Sequence, residues 1–309
     1  MSHFTVMVIG PNHEAQLAPY HEFECTGLDD QYIQDVDETA EVQKRIDEEG
    51  LAKGLEYYGL EDRTVTDMSE VDTSEKHKFR YAVVKDGKLI KAGKRTNPNA
   101  KWDWYETGGR WTGFFRLKAG AIGTLGTPGL FTEVCPGTNK ADVVRKGDVD
   151  WDGMRDATGR RAGEYYDKVR NAIAEVLGSA DFSAHKTWEE VLGDPDKLGA
   201  GDADKARTTY GEQPTVAASR KLKDPELGWI RDLDGILRDT REQYVQAARN
   251  AAGVSFAIVK DGQWYQRGDM GWWGSVSNAK DNDRWYTECA ALLDGLPDDT
   301  ILTIVDCHI

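Results

Sequence analysis

Two stretches of this chain, Tyr81-Ala-Val-Val-Lys-Asp-Gly87 and Phe256-Ala-Ile-Val-Lys-Asp-Gly262, share one pattern: an apolar, strand-forming run that ends on Lys-Asp-Gly. Asp-Gly between such runs is a strong signal for a two-residue hairpin, because both central residues of a type I′ turn need positive φ. Each stretch is therefore predicted to turn back into a second strand, Lys88 to Gly93 and Gln263 to Arg267. A chain with two such hairpins must build antiparallel sheet. The shared pattern is short, so it reads either as a pseudo-repeated core or as two independent uses of one turn.

Two further strands lie at the ends: His3-Phe-Thr-Val-Met-Val-Ile9, and Thr300-Ile-Leu-Thr-Ile-Val-Asp306 after the turn-forming Pro297-Asp-Asp. Both are predicted to enter one sheet. Between them, Ala162, Tyr165, Tyr166, Val169, Ile173, Val176 and Leu177 recur at helical spacing, as do Ile230, Leu233, Ile236, Leu237, Tyr244, Val245 and Ala248. A shorter helix from about Asp283 to Leu293 places Trp285, Cys289 and Leu292 on one face. The predicted class is α+β: a mainly antiparallel sheet containing both chain termini, covered by long amphipathic helices. Residues 1–150 form a sheet-forming region with an acidic insertion and a Trp-rich hairpin. A helical region follows at 151–252, and 253–309 supplies the hairpin, helix and strand that complete the sheet.

Charge narrows the partners. The 309 residues carry 39 Lys and Arg against 54 Asp and Glu, a net charge of −15. Duplex nucleic acid and anionic membranes both require a cationic face, so the overall balance argues against either. No long apolar run and no positive leader point to a membrane span or signal peptide, and the four cysteines contain no C-x-x-C pair. The expectation is a cytoplasmic protein with reduced thiols, and homo-oligomerisation is left open. The charge is also uneven: 22–76 holds 18 acidic and 5 basic residues, whereas 77–118 holds 11 basic and 3 acidic. The acidic stretch reads as a solvated surface, or as a decoy that steers a basic partner.

Of ten tryptophans, seven fall in two windows, Trp102 to Trp111 and Trp264 to Trp285. The first window is predicted as a strand, a Gly108-Gly109 turn and a returning strand through Phe114-Phe115, which would put Trp102 and Trp104 on one face. Such rings either fill the core or form a stacking platform, with Lys101, Arg110 and Arg116 as cations for a phosphate. The ligand-binding candidates are Lys101, Trp104, Arg110, Trp111, Trp272 and Trp273. On the core reading, Arg110 instead pairs with Asp103 or Glu106.

Met1-Ser-His-Phe-Thr-Val6, Ala18-Pro-Tyr20, Asn97-Pro-x-x-Lys-Trp-Asp-Trp-Tyr-x-x-Gly-Gly-Arg-Trp111 and Val305-Asp-Cys-His-Ile309 together resemble a family of uncharacterised proteins encoded by bacteriophages and prophages. The resemblance spans most of the chain. It implies an accessory protein made inside an infected bacterium, with a host-interaction or counter-defence role, and it brings no catalytic residues with it.

Among metal-binding patterns, Asp148-Val-Asp-Trp-Asp-Gly153 matches half a calcium loop, but its twelfth position is Gly159, so the acids read better as a helix start. His3, Asp306 and His308 would form a metal set if the terminal strands are neighbours, since alternation puts Asp306 and His308 on one face. His21 and His185 lack motif context and read as surface or loop residues. No P-loop, H-E-x-x-H or G-x-S-x-G motif is present, and Gly120-Ala-Ile-Gly-Thr-Leu-Gly126 precedes Thr127-Pro128 instead of a helix, which removes a dinucleotide reading. No cofactor is assigned. The leading expectation is a non-enzymatic phage accessory protein that binds a host protein or a small anionic, nucleotide-like ligand. The alternative is a metal-dependent phosphoesterase or nuclease.

Overall fold

Alternation along the two terminal strands sets the centre of the fold. In the computed structural model, which describes residues 2–22, 31–71, 80–130, 139–194, 197, 199 and 201–309, β1 (His3–Ile9) pairs antiparallel with β16 (Ile301–His308), from His3 opposite His308 to Ile9 opposite Leu302. The other edge of β1 runs parallel to β12 (Ala257–Lys260), which turns into β13 (Gln263–Gln266). The other edge of β16 is shared by β11 (Val143–Arg145) and β6 (Trp104–Gly109). These lead on to β8 (Gly123–Thr124) and, in parallel, β9 (Thr127–Pro128). The result is an eight-stranded, mainly antiparallel sheet that contains both terminal strands.

Each face of this sheet has its own core. Met7, Ile9, Ile258, Leu302 and Ile304 are buried beneath Trp285 and Cys289 of the helix α10 (Asn282–Leu293). On the other face, Phe4, Val6, Val8, Val305 and Cys307 pack with Trp102 and with Leu17 of α1 (His13–Leu17). At about 1.5–3 kcal/mol for each fully buried large aliphatic or aromatic side chain, these two layers supply the main force holding the termini together.

Both Asp-Gly turns form as predicted, with φ of 51° and 72° at Asp86 and Gly87 and of 52° and 72° at Asp261 and Gly262. The hairpins nevertheless belong to different sheets. β4 (Arg80–Lys85) and β5 (Lys88–Thr96) join β2 (Gln34–Asp37) and β3 (Thr64–Val65) in a separate four-stranded sheet. Its core of Val42, Leu55, Leu60, Ala82, Leu89 and Ala92 lies under α2 (Thr39–Glu49) and α3 (Leu51–Tyr57). The repeat is thus two uses of one turn, because turn chemistry is local whereas strand partners are chosen by burial. Part of the acidic stretch is also neutralised here: buried Glu38 is held by Arg80 at 3.0 Å and Lys94 at 2.7 Å. Glu48 and Glu49 are exposed, and Asp29 and Asp30 lie outside the described residues.

The helix α4 (Trp151–Leu177) meets the sheet core through Trp151 and Met154 and then extends beyond it. Asp150 caps it, accepting from the Gly153 N–H at 2.9 Å, so the half calcium loop is a helix start. The second helical stretch is two helices, α8 (Leu233–Arg238) and α9 (Arg241–Ala251). Asp239 is extended, and Thr240 with Gln243 forms a capping box that begins a new helix. Tyr166, Val169 and Ile173 of α4 bury against Ile236, Leu237, Phe182 and Leu227. Short helices α5 (Trp188–Leu192), α6 (Asp202–Gly211) and α7 (Pro214–Ser219) fill the segment between α4 and α8. There His185 is buried, not a surface residue: its Nδ1 meets Thr215 at 2.8 Å and its Nε2 meets Asp234 at 2.7 Å. Among the described residues no helix is long and apolar enough to cross a membrane.

Candidate functional site

The tryptophan window does not form the predicted hairpin. β6 runs through Gly108 and Gly109 and pairs with β16 and β9, while the next strand, β7 (Phe115–Arg116), pairs with β10 (Lys140–Ala141). A bend at Asp103 separates Trp102 from Trp104, so alternation does not carry across it. Trp102 is buried, its indole N–H donating to the Leu17 carbonyl at 3.3 Å, whereas Trp104 is 49% exposed.

From Trp104 onward, strand register assembles a row of side chains that no single segment contains. Trp104 lies opposite His308, and His308 lies opposite His3, so the three stand across β6, β16 and β1 on one face. The next row on that face is Glu106, Asp306 and Thr5. Beyond it the face becomes the apolar core around Met7 and Ile304. The imidazoles of His3 and His308 meet edge to face with centroids 4.9 Å apart, and Trp104 is 6.5 Å from His3.

Each imidazole is held by its own carboxylate. His3 Nδ1 is 2.9 Å from Asp306 Oδ1, and His308 Nδ1 is 2.6 Å from Asp103 Oδ1. Asp306 is buried, and its second oxygen accepts the Arg110 backbone N–H at 2.9 Å. That approach requires Gly109, where a Cβ would stand 2.4 Å from the Asp306 Cβ and where φ is +55°. Gly108 is needed for a second buried carboxylate, Asp142, which accepts N–H groups from Gly113, Phe114 and Gly126 at 2.7, 3.1 and 2.8 Å. The glycine-rich run serves the same packing: a Cβ at Gly126 would fall 2.0 Å from the Thr107 carbonyl oxygen.

The nominated residues divide between the two faces of the sheet. His3, Trp104, Asp306 and His308 come together, with Arg110 contributing its backbone N–H and an exposed side chain. The three metal candidates are split between two His-carboxylate pairs, His3 with Asp306 and His308 with Asp103, and among the described residues no three His, Cys, Asp or Glu side chains are arranged to hold a metal ion. Asp103 pairs with His308. Trp111 is half-buried against the sheet core, so it offers no platform. Lys101 lies on the opposite face, beside a cavity of about 80 Å³ lined by Phe4, Trp264, Met270 and Ile309. Trp273 is exposed in the turn between β14 (Asp269–Met270) and β15 (Val276–Ser277), with φ +60°. Ser2 clamps that turn, its Oγ donating to the Gly271 carbonyl at 2.6 Å and accepting the Gly274 N–H at 2.8 Å. Trp272 belongs to the same turn, and its side chain lies outside the described residues. Sequence reasoning missed the roles of Asp103 and Asp142. Asp103 had a signal, its place between two tryptophans; Asp142 had none.

The two described cysteines are not nucleophiles. Burial, with Glu288 adding to it, pushes the Cys289 thiol up to about 12, and burial beside Asp306 and Asp103 holds Cys307 well above the ordinary thiol range. Both are expected to resist iodoacetamide at neutral pH in the folded protein and to react once it is denatured, as peptide mapping by mass spectrometry would show. The sign for stability follows from the raised values: the Cys289 contribution is intact below the ordinary thiol value of 9.0 and is lost as pH climbs toward 12. No family model, curated protein or solved structure matches the chain.

Proposed function

We propose that this protein binds a small, anionic, nucleotide-like ligand on the face formed by Trp104, His308 and His3, and that it does so as a phage accessory protein inside an infected bacterium. The observation that carries the reading is the exposed Trp104 indole set one strand from two imidazoles, each gripped at Nδ1 by a carboxylate. An open indole face suits base stacking, worth about 1–3 kcal/mol per base. With Nδ1 taken by a carboxylate, each imidazole leaves Nε2 as the nitrogen that can hydrogen-bond a ligand. Neither Nε2 has a protein partner among the described residues.

Calorimetric titration with nucleoside mono-, di- and cyclic phosphates tests this. Wild type is expected to bind at least one class, and Trp104→Ala and His308→Ala are each expected to weaken that binding about tenfold or more with little change in melting temperature. Equal affinity in both variants, or no binding of any nucleotide to wild type, would discard the site.

A further inference from the structure

We infer that the same face is a two-histidine acid–base centre that hydrolyses a nucleoside 2′,3′-cyclic phosphate, with His3 as base and His308 as acid; this rests on the ligand-binding reading above. The geometry points there because the two imidazoles are equivalent in kind yet differently supported. Asp306 is buried and fixed at both oxygens, by His3 and by the Arg110 N–H, so it holds the His3 proton on Nδ1 and leaves Nε2 as an acceptor. Asp103 is more open, with its side chain 43% exposed, and holds His308 at Nδ1, so that Nε2 is the nitrogen assigned as proton donor. The His3 and His308 side chains are 17% and 13% exposed, within reach of a ligand yet mostly shielded from water.

In the step, the oxygen of one water attacks phosphorus while His3 Nε2 takes its proton. The bond from phosphorus to one ribose oxygen breaks, and His308 Nε2 gives that oxygen a proton. The product is a nucleoside monophosphate that carries the freed ribose hydroxyl. Phosphorus keeps its oxidation state, and the two imidazoles exchange protonation states and reset through solvent. The cyclic ester is the substrate class because relief of ring strain lowers the barrier that proton transfer alone must overcome. Trp104, next to His308 in the row, is placed to stack the base. The charged groups around the pair are Asp306, Asp103 and Glu106 on the same face and the exposed Arg110 beside it.

Phosphorus NMR of the full chain incubated with each of the four nucleoside 2′,3′-cyclic phosphates, in EDTA, is the test. The cyclic resonance is expected to be replaced by a monoester resonance with a bell-shaped dependence of rate on pH. His3→Ala and His308→Ala are each expected to slow turnover about 100-fold or more, to flatten one limb of the bell, and to be partly rescued by added imidazole. His3→Gln and His308→Gln serve as second variants, with melting temperature as the check on folding. Nucleotide binding with no turnover by wild type, turnover that EDTA abolishes, or full activity in either histidine variant would overturn the inference while leaving the binding site standing. Absence of both binding and turnover would remove both.

Discussion

Replacing Asp142 by alanine is expected to unfold the protein or nearly so. The carboxylate is completely buried and accepts three backbone N–H groups, from Gly113 and Phe114 at Oδ1 and from Gly126 at Oδ2. Removing it strands one buried and two partly buried donors at up to roughly 1–3 kcal/mol each, a sum comparable with the roughly 5–15 kcal/mol that separates folded from unfolded states. Asp142→Asn is expected to fall between, because the amide keeps one acceptor oxygen but turns an N–H₂ toward a donor. The effect reaches the functional face: Gly113 and Phe114 stand at the end of the turn that follows Gly109, whose Arg110 N–H fixes Asp306 and through it His3. Urea unfolding followed by circular dichroism checks this, and an alanine variant within about 1 kcal/mol of wild type would show that the cage does not hold the turn.

Trp102→Ala and Trp104→Ala are expected to diverge, although the residues are two positions apart. Trp102 is 7% exposed, stacked on His21 at 4.3 Å and packed edge-on against Tyr105 at 4.9 Å. Its truncation empties a site beside Phe4 and Val305 and is expected to cost about 3–5 kcal/mol. Trp104 has half its surface in solvent, so its loss is expected to change stability by only about 0.5 kcal/mol. Thermal and urea melts of both variants decide it. Equal destabilisation would mean that Trp104 is a core residue and not available to a ligand.

These two tryptophans also show where reading the chain residue by residue reaches its limit. Alternation assumes an unbroken strand, and Asp103 breaks it by giving its backbone N–H to the His308 carbonyl and its carboxylate to the His308 ring. Both contacts come from a strand about 200 residues away in the chain. The second helical stretch failed similarly at Asp239, although the Thr240-x-x-Gln243 cap that restarts it was visible in the sequence.

What the sequence determined by itself is local in origin: the Asp-Gly turns, because positive φ is a property of the residues in the turn, and the terminal strands, because apolar alternation needs a sheet to bury it. The helix start at Asp150 and the shared face of Asp306 and His308 belong to the same class. Long-range packing alone sends the two hairpins into different sheets and sets Asp142 among three N–H groups. It alone brought His3, His308 and Trp104 into one row with a carboxylate behind each imidazole. Those outcomes depend on which distant strand lies alongside, which is set by burial across the whole sheet and not by any residue's neighbours in the chain.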